Sequence, residues 1–355
     1  MTIRLIGPRN TLGVGIHFSN FANILRTYQG LGHVIEEVDC TSQEALWAAA
    51  RASKPGDVNI CFVSIDLQGI YQGTNIQWIV FESTRVPEVI MQTMLRADVV
   101  WVPSDWGRDT LIANGMDADR VDVVPEGVDT SRYHPWGYRP TKSVCRFLTV
   151  GKFEQRKSQL ETIEAWAQAF GQRQDIELIV KTGYFGSSDA KAQKLANWIQ
   201  WLDLKNVHVI WGDLDDNALL NLYCSTDVFV LPSRGEGWGL PIIEAAAMGL
   251  PVVTTWYSGH TQYLEASSVV TVDFDLEPID CPDFKLYYPN SDKNWGAWAR
   301  PRVHSIVLAL QQAHQNLPQL RSAALANARK IRQKFSWTAS VDNAVAVLQH
   351  RGLLG

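Results

Sequence analysis

Residues 233–255 read SRGEGWGLPIIEAAAMGLPVVTT, and this stretch decides the fold. The run VFVLPS (228–233) leads into it as a buried strand. Pro241 suits the first helical position, where its missing N–H would have been unpaired anyway. Gly249 ends that helix, and PVVTT (251–255) reads as the next buried strand. The turn Gly237, Trp238, Gly239, Leu240 opens the helix and carries a glutamate on each side, Glu236 and Glu244, with seven residues between them. A helix N-terminus with unpaired backbone N–H groups is a ready anion site. One carboxylate just before it and another in its first turn can grip hydroxyls on either side of a bound phosphate. A nucleotide sugar fits: phosphates at the helix end, sugar at one glutamate, ribose at the other. The bland alternative is a strand–turn–helix with two solvated glutamates that favour the helix start. The glycines, Pro241 and the small-residue run AAAMG all agree with the built site.

Outward from this stretch, apolar runs alternate with helical patterns almost throughout. The first half offers strands at 2–7, 33–39, 58–64, 76–82, 98–104 and 121–126, with helical patterns such as FANILRTYQG, EALWAAARA and EVIMQTMLRA between some of them. The second half offers strands at 146–152, 176–182, 207–213, 228–233 and 251–255. This βαβ rhythm predicts parallel sheets with helices on both faces. Residues 127–144 break the pattern and read as a linker. The expected fold class is α/β, two Rossmann-like doubly wound domains facing a cleft, spanning 1–140 and 143–336. Residues 273–300 read as an irregular loop, and Trp337 starts a last helix.

A length of 355 residues agrees with two domains. With 46% hydrophobic and 19% charged residues the chain can bury large cores. A net charge of −5 argues against a nucleic-acid binder and leaves room for a local basic patch at a membrane surface or acceptor. Cys40, Cys61, Cys145, Cys224 and Cys281 are scattered, with no CxxC pair, and read as core residues of a reducing compartment. The apolar run of MTIRLIGPRN is too short for a signal peptide, and no run approaches the ~20 residues of a membrane span. A cytoplasmic location with at most peripheral membrane contact is expected.

The 233–255 stretch resembles the donor-site signature of retaining GT-B glycosyltransferases of the family 4 type, approximately P-S-x-x-E-G-x-G-L-P-x-x-E-A-x-A-x-G-x-P-V-V. The resemblance implies the GT-B fold, with the final helix (about 337–355) crossing back onto the first domain. It implies transfer of a sugar from a nucleoside-diphosphate sugar to an acceptor hydroxyl on a glycan, glycolipid or polysaccharide precursor, with retention of configuration and no cofactor. Glu236 then clamps a sugar hydroxyl rather than acting as the nucleophile that a retaining glycosidase carboxylate would be. The base and sugar of the donor stay open.

Other motifs sit at strand ends. GKFEQRKS (151–158) sets Lys152 and Lys157 before a helix, where two cations can neutralise a leaving diphosphate without a metal. The family pattern there is G-R-x-x-x-x-K-G, so Lys152 replaces an arginine and loses its bidentate fork. Arg156 fits a plain surface position equally well. After the first strand, TLGVGIH (11–17) carries Gly13 and Gly15, which fit a loop where backbone approaches the donor; His17 reads as a cleft or exposed residue. FESTRVP (81–87) places Glu82 where many family members have a histidine, and Glu82 takes the polar role at the reacting centre. Trp211, Asp213 and Leu214 lie where the family holds the nucleotide base, with Thr182–Gly183–Tyr184 as a second base-side stretch and Ser258–Gly259–His260 closing the donor pocket. Asp273 and Asp275 have DxD form, but far past the donor motifs, so no metal is expected. The rival classes are a non-catalytic sugar-nucleotide-binding protein and a hydrolase or epimerase on the same fold. The set Lys157, Glu236, Glu244 argues against the binder; the missing histidine near Glu82 argues for it.

Overall fold

The computed structural model describes residues 1–10, 12–29, 31–137, 144–183, 189–282, 284 and 294–354. Thr11, Tyr184, residues 138–143 of the expected linker and the middle of 273–300 lie outside the described residues. The chain divides into two compact units: Met1–Gly127 with Phe284–Gly296 and Gln333–Gly355, and Val128–Asp283 with Ala297–Arg332.

The first unit holds strands β1 (Thr2–Gly7), β2 (Val34–Asp39), β3 (Val58–Cys61), β4 (Thr74–Trp78), β5 (Val99–Val102) and β6 (Val121–Val123). Its helices are α1 (Gly13–Arg26), α2 (Gln43–Ala52), α3 (Glu88–Arg96) and α4 (Asp105–Ala113). All strand pairs are parallel, in the order β2-β1-β3-β4-β5-β6. The near-continuous apolar runs bury both faces of the central strands, as a sheet covered by helices on both sides requires.

The second unit holds β7 (Cys145–Val150), β8 (Ile176–Thr182), β9 (Val207–Trp211), β10 (Val228–Val230), β11 (Val252–Thr255) and β12 (Val269–Val272), again all parallel, in the order β12-β11-β10-β7-β8-β9. Helices α5 (Gln159–Phe170), α6 (Asp189–Trp201), α7 (Asp216–Cys224) and α8 (Leu240–Ala247) connect them. The first strand of the unit, β7, lies between β8 and β10, so the strand order reverses there. A doubly wound sheet binds ligands beyond the carboxyl ends of the strands at such a switch point. The two segments leaving that point are 151–158 after β7 and 231–239 after β10, the two richest motifs of the sequence.

Residues 273–300 are not wholly irregular. β13 (Phe274–Pro278) and β14 (Ala297–Pro301) pair antiparallel, from Phe274 opposite Pro301 to Pro278 opposite Ala297. Gly296, just before β14, groups with the first unit, where at φ +75° it passes so close to Thr84 and Arg85 that a Cβ would lie 2.5 Å from the Arg85 nitrogen. Helices α9 (Val303–Gln315), α10 (Leu317–Lys334) and α11 (Trp337–His350) end the chain. Helix α11 belongs to the first unit: Val341, Ala344, Val345 and Leu348 join Phe18, Phe21 and Trp78 in its core. Ser340 donates to the Pro125 carbonyl at 2.6 Å. Among the described residues, no helix is long and apolar enough to cross a membrane.

Candidate functional site

The segment after β10 turns back on itself before α8, and its conformation is fixed from several sides. Ser233 Oγ donates to the carbonyls of Gly235 and Arg156 (3.1 and 3.2 Å). The Glu236 N–H donates to Ser258 Oγ at 2.8 Å, and its carbonyl accepts from the Gly259 N–H at 2.8 Å. Gly259 has to be glycine, because a Cβ would fall 1.9 Å from the Gly237 oxygen. Gly239 caps α8 at φ +88°, a left-handed conformation that costs a side chain energy. Tyr263 donates its hydroxyl toward the Trp238 and Gly239 carbonyls (2.9 and 3.0 Å). Pro241 takes the second helical position rather than the first, and Gly249, at φ +68°, ends the helix.

This frame buries Glu236, which is 3% exposed. Lys157 Nζ donates to both carboxylate oxygens, at 2.7 and 2.9 Å. Arg156 reaches Oε2 at 3.0 Å and the Gly235 carbonyl at 2.8 Å. Arg156 is therefore part of the cluster and not a plain surface residue. Ser158, at φ +52°, ends the short turn that aims both cations at the glutamate. Burial alone would push the Glu236 carboxyl up, but Lys157 and Arg156 outweigh it and hold the group down at about 2. Glu154, 3.5 Å from Arg156, completes a cluster of two cations and two carboxylates. His260 packs close by, fully buried, with Nε2 donating to the Thr255 carbonyl at 2.7 Å; burial lowers its pKa, so the ring stays neutral.

Glu244, half-buried on α8, faces a different set. Tyr223 donates to its Oε2 at 2.9 Å, Tyr133 hydrogen-bonds the same carboxyl, and Arg132 adds positive charge. Burial dominates and raises the carboxyl to about 7, against the two tyrosines that pull it down. Tyr133 lies in the stretch expected to be linker, and Tyr223 in a helix with no motif. No spacing in the sequence connects them to Glu244.

The remaining expected residues fall as follows. Lys152 is half-buried just after β7, and its carbonyl accepts from Gln159 Nε2 at 2.9 Å. Trp211 ends β9 with its ring 5.9 Å from Phe153; Asp213 is exposed and Leu214 half-buried beyond Gly212, at φ +96°. Exposed Asp275 on the hairpin accepts from Nε and Nη2 of Arg302, a structural use of the DxD pair. Among the described residues, no group of three or more His, Cys, Asp or Glu could hold a metal ion.

In the first unit, Gly13 and Gly15 do not form a loop. They are the first turn of α1, capped by Leu12. Gly15 is needed for contact within the chain, since a Cβ would lie 2.3 Å from the Asn10 carbonyl oxygen. His17 is neither exposed nor open to a ligand: it is 2% exposed, packed edge-on against Trp78 at 4.2 Å, with Nδ1 3.7 Å from Glu126. Glu82 is half-buried, four residues past the end of β4.

Residues 140–272 match the model of the family Glycosyl transferases group 1. The match covers less than half of the chain. The group 1 segment covers the whole of the Lys157–Glu236–Glu244 constellation. Among curated relatives, the D-inositol 3-phosphate glycosyltransferase of Segniliparus rotundus is 25% identical over 240 residues, 65% of this chain and 47% of that protein. The serotype-specific mannosyltransferase WbdA of Escherichia coli is 32% identical over 108 residues, 30% of this chain and 13% of that protein. The chain thus spans about half, or less, of these relatives' lengths. Among solved structures, Anabaena Alr3699/HepE in complex with UDP and glucose superposes with a TM-score of 0.74 over 99% of this chain and 100% of that one, at 13% identity. Sucrose-phosphate synthase from Thermosynechococcus elongatus gives 0.76 over all of both chains at 16% identity. The two Rossmann-like units are those of the GT-B fold.

Proposed function

We propose that the protein is a glycosyltransferase that moves a sugar from a nucleoside-diphosphate sugar to an acceptor hydroxyl on a glycan or glycolipid, with retention of configuration and without a metal. The observation that carries this is the buried Glu236 carboxylate, gripped by Lys157 and Arg156 immediately before the N-terminus of α8. The cations and the helix end supply positive charge where a diphosphate leaves. Glu236 stands where a sugar hydroxyl can donate to it, and Glu244 where ribose hydroxyls can. The names of the relatives support sugar transfer, and the UDP complex of the HepE structure supports a nucleotide-sugar donor.

Both Glu236 oxygens are engaged by cations, and the carboxylate is held strongly ionised. A carboxylate so stabilised is a poor nucleophile, which supports the clamp over a covalent sugar–enzyme intermediate. Departure and attack then take place on the same face of the sugar. The lysine and arginine replace a divalent cation at the leaving diphosphate. Glu82 is assigned the polar role at the reacting centre on the strength of its motif. Cytoplasmic action, with any membrane contact peripheral, goes with this reading.

The test is incubation of the purified protein with UDP-, GDP- and ADP-sugars in the presence of EDTA, following nucleoside diphosphate release. Release from one donor, abolished by Glu236→Ala and by Lys157→Ala, is expected. Saturable donor binding with no release under any acceptor tried would return the protein to the class of sugar-nucleotide binders.

A further inference from the structure

The six-stranded parallel sheet of the second unit closes its core without the hairpin β13–β14, yet that hairpin makes an extensive contact with one residue of the Glu236 segment. Arg234 is 3% exposed. Its backbone N–H donates to the Arg156 carbonyl, and its carbonyl accepts from the Ala299 N–H of β14, both at 2.8 Å. Its guanidinium pairs with Glu277 of β13 and Glu161 of α5 and lies 5.3 Å above the ring of Trp298 on β14. Only a planar, five-donor guanidinium can meet two carboxylates and stack on an indole at once. Glu236 follows two residues later.

We propose that the β13–β14 hairpin positions the Glu236 carboxylate by clamping Arg234, which makes Arg234 a positioning residue of the transfer site. The proposal rests on the reading of Glu236 as a sugar-hydroxyl clamp. The Lys157 turn and the Ser258–Gly259 turn hold the Glu236 segment from the sheet side. The hairpin supplies a further restraint, and a displacement of about 1 Å at a substrate-holding group can cost about 100-fold in rate. Among the described residues, Lys157, Arg156, Glu154 and His260 are charged or titratable groups near Glu236, and none of these four belongs to the hairpin. Any effect of the hairpin on Glu236 therefore passes through the position of the segment.

Two variants test this, Arg234→Lys and Glu277→Gln. The second changes a half-buried side chain and is expected to fold even if the first does not. In the ligand-free full chain, the Glu236 carboxyl is titrated by NMR with ¹³C-labelled glutamate. In both variants its titration is expected to move up toward the ordinary carboxylate range, at nearly unchanged melting temperature. With the donor that turns over, kcat is expected to fall about tenfold in Glu277→Gln and about 100-fold in Arg234→Lys, with KM within about twofold. An unmoved Glu236 titration in every variant that folds, or a kcat that falls only with the folded fraction, overturns the proposal. A moved titration in a protein with no turnover of any donor keeps the clamp and rejects the transfer reading.

Discussion

Each unit buries an acid beside a base, and the outcomes are opposite. In the second unit Glu236 and Lys157 touch at 2.7 Å, with Arg156 behind them, and the carboxyl is held down at about 2. In the first unit Glu126 and His17 stand 3.7 Å apart among Phe62, Trp78 and Trp337. There burial pushes Glu126 up to about 8 and His17 down to about 3, so both are neutral. Burial is similar in the two places. What differs is the supply of direct partners: two cations and a fixed backbone in one, aromatic rings in the other. Desolvation neutralises an acid–base pair unless contact hydrogen bonds and a second cation outweigh it.

The largest effect expected from breaking this contrast is at Lys157. Lys157→Met leaves Glu236 with Arg156 alone, and donor turnover is expected to fall by about 1,000-fold, the scale of losing a preorganised charge at a leaving group. Stability should drop by about 3–5 kcal/mol, as when one partner of a buried ion pair is removed, measured by urea unfolding of both proteins. A Lys157→Met variant as stable as the parent would mean that the pair is not buried and ionised as described.

The second test reverses the sign. Glu126 has a raised folded pKa, so its stabilising protonation is complete below the unfolded value of 4.5 and lost as pH rises toward about 8. Glu126→Gln removes that loss. The variant should gain on the parent by about 1.4 kcal/mol per pH unit across that window, about 3 kcal/mol near neutrality. Glu236 behaves oppositely: its contribution is present above 4.5 and lost as pH falls toward about 2. Glu236→Gln should therefore change the acid limb of the stability curve and leave the neutral slope alone. Equal pH slopes for the parent and Glu126→Gln would show that Glu126 is ionised after all.

The same contrast explains what could be read from the chain. Glu236 and Lys157 announced themselves because their loops follow the two strands at the switch of the sheet, and glycine and proline spacing marks those loops. The alternation of apolar runs likewise located eleven of the twelve parallel strands among the described residues, all but Val269–Val272 of β12. The neutral pair carried no such signal: a histidine at a helix start looks the same whether it is exposed or sealed under Trp337. Gly13 and Gly15 suggested a loop because glycine is a poor helix former. In the structure Gly15 is chosen for its close approach to Asn10, inside the helix. The hairpin was hidden because FDLEP and AWARP are short, and residues far apart in the chain pair them. For the same reason the partners of Arg234 and Glu244 come from distant segments that no local pattern joins.

Glu244 falls between the two extremes and sets the smallest prediction. It has hydrogen-bond partners, Tyr223 and Tyr133, but no direct cation contact that outweighs burial, and its carboxyl rises to about 7. A carboxylate accepts ribose hydroxyls through charge-assisted bonds, about twice as strong as neutral ones. Nucleoside diphosphate affinity should therefore weaken as pH falls below about 7, by at most tenfold per unit, and calorimetry across that range reads it. Glu244→Gln should bind more weakly at high pH and show a flat profile. Because Glu236 stays ionised through the whole range, any remaining slope in that variant would have to come from the ligand's own phosphate, which a control titration of the free nucleotide measures. A parent profile already flat around neutrality would instead place the Glu244 pKa well below 7 and put the residue with Glu236, on the ionised side of the comparison.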